Sequence, residues 1–207
     1  MPVIKKIKLK NGIMAIWKWT ELPDQLKELY PEYKNDKEFI KIKNHKRQIE
    51  WITTHILLKD LCHDKFKLYH KENGKPIIRS KDFSYISISH SKNMAGIFLN
   101  KKSDIGLDIE NSKRNFKRVI TKYLSNEELL LAGSIPNGLG LFWCIKEAAF
   151  KISKKGSSNY IKEISIFKDN NKKLSVKIIP DNIIYPVHYL IIEDEIVVYL
   201  TEEDNHF

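Results

Sequence analysis

Residues 45–62 and 139–152 repeat apolar side chains at helical spacing, while most of the surrounding chain alternates or turns. In the first stretch Ile49, Ile52 and Ile56 form a stripe that Leu57 and Leu61 widen. In the second, Phe142, Ile145, Ala149 and Ile152 follow steps of three, four and three. Each half of the chain thus offers one strong helix among short strands, with a divide near residues 100–104. That arrangement predicts an α+β protein of two similar halves.

Around these helices the pattern is mostly β. Residues 3–19 read as one or two strands, and a helix follows over 24–30, before Pro31. Asn73-Gly74 with Pro76 marks a turn between short strands in 69–80, and strands are predicted over 85–89, 94–99 and 105–110. Residues 111–132 read as mostly helical with a break at Ser125, where Ser125 and Glu128 have the spacing of a capping box. Strands are again predicted over 161–167, 173–179, 185–192 and 196–201. No internal repeat or low-complexity segment is visible.

The 207 residues are 42 % hydrophobic and include nine Phe, nine Tyr and four Trp, enough for a sizeable core. No apolar run approaches the ~20 residues of a membrane span, so no membrane association is expected. The lysines that interrupt the first ten residues do not suit a secretory leader. With two cysteines, Cys62 and Cys144, there is no disulfide framework, and a cytoplasmic setting is the expectation. Thirty-six Lys and Arg against 26 Asp and Glu give a net charge of +10, which favours anionic partners. The basic residues are scattered, without the bunched basic and aromatic surface of a nucleic-acid binder.

Three short motifs carry candidate chemistry. In Ile105-Gly106-Leu107-Asp108-Ile109-Glu110, strand alternation sends Ile105, Leu107 and Ile109 to the core and Gly106, Asp108 and Glu110 to the other face. Asp108 and Glu110 then stand roughly 6.6 Å apart, able to lean onto one hard cation, with Gly106 leaving room beside them. An isolated acid-x-acid pair is more often the solvated face of an amphipathic strand. On the helix over 139–152, Trp143, Glu147 and Lys151 recur every fourth residue beside the apolar stripe. A surface Glu-to-Lys pair explains the two charges but not Trp143 on the same line. Ser89-His90-Ser91 closes an alternating run, so His90 is either a half-buried strand-end residue or a phosphate contact with serine hydroxyls beside it. Cys144 falls between the apolar stripe and the Trp143 line and reads as core rather than nucleophile. No zinc-ligand spacing, nucleophile elbow or Walker-type loop is present.

In this order, and preceded by Gly74-Lys75-Pro76, the motifs resemble those of the 4′-phosphopantetheinyl transferase superfamily, most closely its monomeric, surfactin-synthetase-activating type. The shared elements are Gly74-Lys75-Pro76, Ser89-His90-Ser91, Ile105 to Glu110, and Trp143-Cys144-Ile145-Lys146-Glu147-Ala148-Ala149-Phe150-Lys151. Lys46-Arg47, opening a helix with Glu50-Trp51, is similar to the N-terminal half of this type. Leu107 and Cys144 depart conservatively from the commonest pattern.

The resemblance implies a pseudo-dimer of two α+β halves, 1–102 and 103–207, each packing a helix on a small antiparallel sheet, with a cofactor cleft between them. It implies a monomeric enzyme with holo-carrier synthase activity. The phosphopantetheine arm would pass from coenzyme A to a serine of an acidic apo acyl or peptidyl carrier protein of fatty-acid, polyketide or peptide synthesis. Asp108, Glu110 and Glu147 would be the Mg²⁺ ligands. Glu147 would be the base, and Asp108 and Lys151 would complete the catalytic set. Lys46, Arg47, Lys75, Pro76, Ser89, His90 and Lys151 would bind coenzyme A. Lys113, Arg114, Lys117, Arg118 and Lys122, with Phe116, Tyr123 and Leu124, would either offer the carrier a basic and apolar surface or form a solvated helix face. The competing reading is a non-catalytic basic module that holds coenzyme A or nucleic acid. A decayed enzyme would lack one of Asp108, Glu110, Glu147 and Lys151, all of which are present.

Overall fold

Apolar residues spaced by lysines at the start of the chain form an antiparallel hairpin, β1 (Val3–Lys8) with β2 (Gly12–Lys18). Three helices follow: α1 (Pro23–Leu29), α2 (Lys37–Lys41) and α3 (His45–Cys62). Two further hairpins come next, β3 (Phe66–His70) with β4 (Pro76–Ser80) and β5 (Tyr85–His90) with β6 (Met94–Asn100). The coordinates are a computed structural model that describes residues 3–63, 65–154 and 159–202. The chain is mixed α+β and divides into two units, Met1–Lys101 and Lys102–Phe207.

In the first unit the antiparallel sheet runs β1-β2-β6-β5, with β3-β4 a separate ribbon. α3 begins at Asn44, whose side chain accepts from the Arg47 N–H, and ends where His63 turns left-handed. Its stripe of Ile52, Ile56, Leu57 and Leu58 is buried with Ala15, Trp17, Ala95, Ile97 and Leu99 of the sheet. The helix α2, which the sequence reading did not find, is nucleated by Asp36 accepting from the Glu38 and Phe39 N–H groups. An aromatic cluster fixes this segment to α3: Trp51 stacks on His55 at 3.5 Å, and Tyr30 and Phe39 meet Trp51 edge-on.

The second unit starts with β7 (Ile105–Asn111). Two short 3-10 turns, Phe116–Arg118 and Ile120–Lys122, precede α4 (Asn126–Gly133). Helix therefore does not cover 111–124, contrary to the sequence reading. Asn111 and Asn115 accept from the N–H groups of Lys113 and Lys117, and these local bonds replace the helical ones. The remaining elements are α5 (Gly138–Ile152), α6 (Tyr160–Glu163), β8 (Ile164–Lys168), β9 (Leu174–Ile178), β10 (Ile183–Pro186), β11 (His188–Ile192) and β12 (Glu195–Thr201). They form two three-stranded antiparallel sheets, β11-β12-β7 and β10-β9-β8. The single strand predicted over 185–192 is two strands with different neighbours, β10 on β9 and β11 on β12.

α5 lies along β7 and β12, with Phe142, Ile145, Ala149 and Ile152 buried against Ile196, Val198 and Leu200. Its closest approach is at Gly106, where an added Cβ would fall 2.1 Å from the Ala148 carbonyl oxygen. The space left by Gly106 is therefore filled by the helix backbone and does not open beside the carboxylates, which corrects the sequence reading. Among the described residues no helix is long and apolar enough to cross a membrane.

Two outcomes follow from these contacts. Gly106→Ala must push α5 off β7 and destabilises the protein by about 1–3 kcal/mol in urea unfolding. Gly133→Ala, where an added Cβ meets nothing within 4 Å, is neutral or stabilising in the same assay. The second concerns His55, which donates Nδ1–H to the Trp51 carbonyl at 2.8 Å. Burial pushes its pKa below the ordinary value, outweighing that bond. The unfolded state then binds the proton more readily, so stability falls as pH drops through about 6.5 and below. Thermal melts from about pH 7.5 to about pH 5.5 should show a smaller acid loss in His55→Phe than in the wild type.

Candidate functional site

Strand parity and the Gly106 contact together put Asp108 and Glu110 on the face of β7 that α5 covers. Across that seam α5 presents Trp143, Glu147 and Lys151, all half-buried and four residues apart. Lys151 Nζ donates to the Leu107 carbonyl and to Asp108 Oδ1, both at 2.9 Å. Trp143 Nε1 donates to Glu110 Oε1 at 2.9 Å, which answers why a tryptophan stands on the line of charges. Arg114 Nη1 pairs with the same Glu110 oxygen. Tyr160 donates its hydroxyl to Glu147 Oε1 at 3.2 Å.

The charge of Asp108 acts on both Glu147 and Glu110. Burial raises the Glu147 carboxyl first, the charge of Asp108 raises it further, and Lys151 pulls it down. Glu110 is likewise raised by burial and then by Asp108, against Arg114, Trp143 and Lys151. Crowded acids of this kind are a donor set suited to a hard divalent cation. Among the described residues no three His, Cys, Asp or Glu side chains are gathered in metal-holding positions. Here Asp108, Glu110 and Glu147 are turned instead to Lys151, to Arg114 with Trp143, and to Tyr160.

Lys146, beside Glu147 in sequence, is turned fully inward with no exposure. Its Nζ donates to Glu128 at 2.8 Å, to the Tyr160 carbonyl at 2.9 Å and to the Ile164 carbonyl at 2.5 Å. Glu128 caps α4 through the Ser125 N–H, as its spacing predicts, and also accepts from the Ile166 N–H. This ion pair ties α4, α5, α6 and β8, and the sequence reading missed it. A lysine one step from an apolar stripe residue is the signal that could have found it. Cys144 is core, as predicted: fully buried, near the Ile196 carbonyl, its thiol pushed well up by burial.

The N-terminal candidates lie in the first unit. Thr54 donates its hydroxyl to the Glu50 carbonyl, so the 3.1 Å contact with His90 makes His90 Nε2 the donor. His90, half-buried at the end of β5, also stacks on Trp19. Arg47 and Lys46 are exposed in the first turn of α3, with Arg47 two turns, about 10 Å, before Thr54 on the same face. Lys46 pairs with Glu50 at 3.6 Å. Lys75 and Pro76 follow the left-handed Gly74 in the β3–β4 turn. Ser89 is buried, and Ser91 Oγ accepts from the N–H groups of Asn93 and Met94 in the β5–β6 turn.

The basic stretch after β7 differs from its prediction as a docking surface. Phe116, Tyr123 and Leu124 are buried, so they offer no apolar contact to a partner. Lys113 pairs with Asp194 and Arg114 with Glu110, while Lys117, Arg118 and Lys122 remain exposed.

Residues 104–201 match the family model of the 4′-phosphopantetheinyl transferase superfamily. The match holds the whole acidic seam and supports a transferase of the phosphopantetheine arm in general terms. Residues 1–103 lie outside it. No curated protein matches the chain.

Because Lys146 and Glu128 are both buried, removing one leaves the other uncompensated. Lys146→Met or Glu128→Gln alone should lower unfolding stability by about 3–5 kcal/mol. The double variant Lys146→Met with Glu128→Leu should recover part of that loss in the same denaturant titration.

Proposed function

We propose that this chain transfers the 4′-phosphopantetheine arm of coenzyme A to a serine of an apo acyl or peptidyl carrier protein, releasing adenosine 3′,5′-bisphosphate. The observation that carries this reading is the seam. Inside the stretch that matches the superfamily, Asp108 and Glu110 of β7 share one helix–strand junction with Glu147 and Lys151 of α5. The proposal extends to the monomeric type of that superfamily, built as two like halves. The net charge of +10 suits both a polyphosphate co-substrate and an acidic carrier.

Asp108, Glu110 and Glu147 would hold Mg²⁺, which when bound supplies neutralisation of the charge that grows on the diphosphate oxygens. Glu147 takes the proton of the carrier serine. The serine oxygen bonds to the β-phosphorus while the bond to the adenosine bisphosphate oxygen breaks. Tyr160 holds Glu147 by one oxygen, and Lys151 compensates Asp108 and offers its ammonium to the departing phosphate. Lys46, Arg47, Lys75, Pro76, Ser89 and His90 are proposed to bind coenzyme A, Arg47, Lys75 and His90 gripping its 3′-phosphate.

The test is incubation with coenzyme A, Mg²⁺ and apo carriers from fatty-acid, polyketide and peptide synthesis, read by intact-protein mass. At least one carrier should gain the phosphopantetheine arm, and no gain on any carrier overturns the proposal. Glu147→Gln and Asp108→Ala should each lower the transfer rate by about 10²–10⁴ with unchanged circular dichroism. Wild-type turnover in either would refute its assigned role.

A further inference from the structure

Arg114 belongs by sequence to the basic stretch after β7, but its contacts tie it to the acidic seam. Its Nη1 meets Glu110 Oε1, and its guanidinium lies 5.1 Å from the Trp143 ring and 5.4 Å from the Phe116 ring. Phe116 is buried and Trp143 half-buried, so the two rings form a fixed shelf. The turn places the arginine there through the Arg114 N–H to the Asn111 carbonyl at 3.0 Å. Trp143 Nε1 donates to the same Glu110 oxygen, so Glu110 keeps a donor from α5 whatever Arg114 does. The arginine side chain stays 43 % exposed, against 20 % for Glu110.

We propose that Arg114 is an exchangeable cation that holds Glu110 until a divalent ion takes that carboxylate, then turns its N–H edge to a phosphate oxygen of coenzyme A. This rests on the transferase reading above and adds a phosphate-binding residue to it. A guanidinium at cation–π distance from two rings still has in-plane donors for a partner at its edge, a planar fork that a lysine ammonium lacks. A divalent ion and a guanidinium compete for one carboxylate, because each repels the other. A phosphate arriving with the ion removes that conflict: it offers the displaced guanidinium a charge-assisted partner without moving it from the shelf.

The experiment is isothermal titration of the full chain, wild type and Arg114→Ala, first with Mg²⁺ alone and then with coenzyme A at saturating Mg²⁺. Loss of the competing cation should tighten Mg²⁺ binding about threefold to fivefold. Loss of the phosphate donor should weaken coenzyme A about tenfold. Arg114→Lys, keeping the charge without the planar donor fork, should fall between the two proteins in both titrations. Any other pattern overturns the proposal, and a merely structural residue would weaken both ligands together. Wild type that binds no coenzyme A at any Mg²⁺ concentration would overturn the transferase reading as well. Wild type that binds it, with the two constants moving in parallel, overturns the role of Arg114 alone.

Discussion

Lys151 reaches the Leu107 carbonyl and Asp108 because α5 rests directly on the backbone of β7 at Gly106. A side chain there would occupy the position of the Ala148 carbonyl, and the helix would have to withdraw. Gly140 does similar service nearer the start of α5, where an added Cβ would fall 2.8 Å from Ile196 and Phe116. Two glycines, one on each element, thus set how near the acids of the strand stand to Glu147 and Lys151. That nearness lets the charge of Asp108 add to burial in raising the Glu147 and Glu110 carboxyls.

Lys146 and Glu147 are neighbours with opposite duties. Successive helical residues point about 100° apart, so one step along α5 takes a charge from the interior to the seam. Lys146 points in and, through Glu128, gathers the start of α4, the carbonyls of Tyr160 and Ile164 and the Ile166 amide. Burying both charges costs much of what their attraction returns, so the pair adds little net stability over an apolar pair of the same size. Here it also sets Tyr160, whose hydroxyl holds Glu147. The buried pair and the proposed base are thus joined through Tyr160.

How much was legible in the sequence depends on the range of the forces involved. Periodicity gave α3 at its observed ends and α5 to within a residue, since both helices bury a stripe. The alternation of β7 and the line Trp143, Glu147, Lys151 were equally plain. Where a short polar side chain bonds the nearby backbone, the reading failed: Asn111 and Asn115 turn the chain after β7 in place of a helix, and Asp36 caps and starts α2. Residues 161–163 read as strand but close a helical turn that Asn159 caps. Lys146 with Glu128, Arg114 with Glu110 and Tyr160 with Glu147 were not legible as pairs. Two join different elements and the third spans an irregular turn, and spacing says nothing of such meetings.

The ladder of β7 carries a consequence for how the protein comes into being. Within its sheet β7 has one neighbour, β12, with Gly106, Asp108 and Glu110 opposite Leu200, Val198 and Ile196. That neighbour is made long after α5, so during synthesis the acidic strand and its helix both exist before the ladder that fixes them. Closing such a distant pairing is the slow, entropically expensive kind of step. A nascent chain, or one clipped before residue 195, therefore holds every acid of the seam without the means to keep them in register.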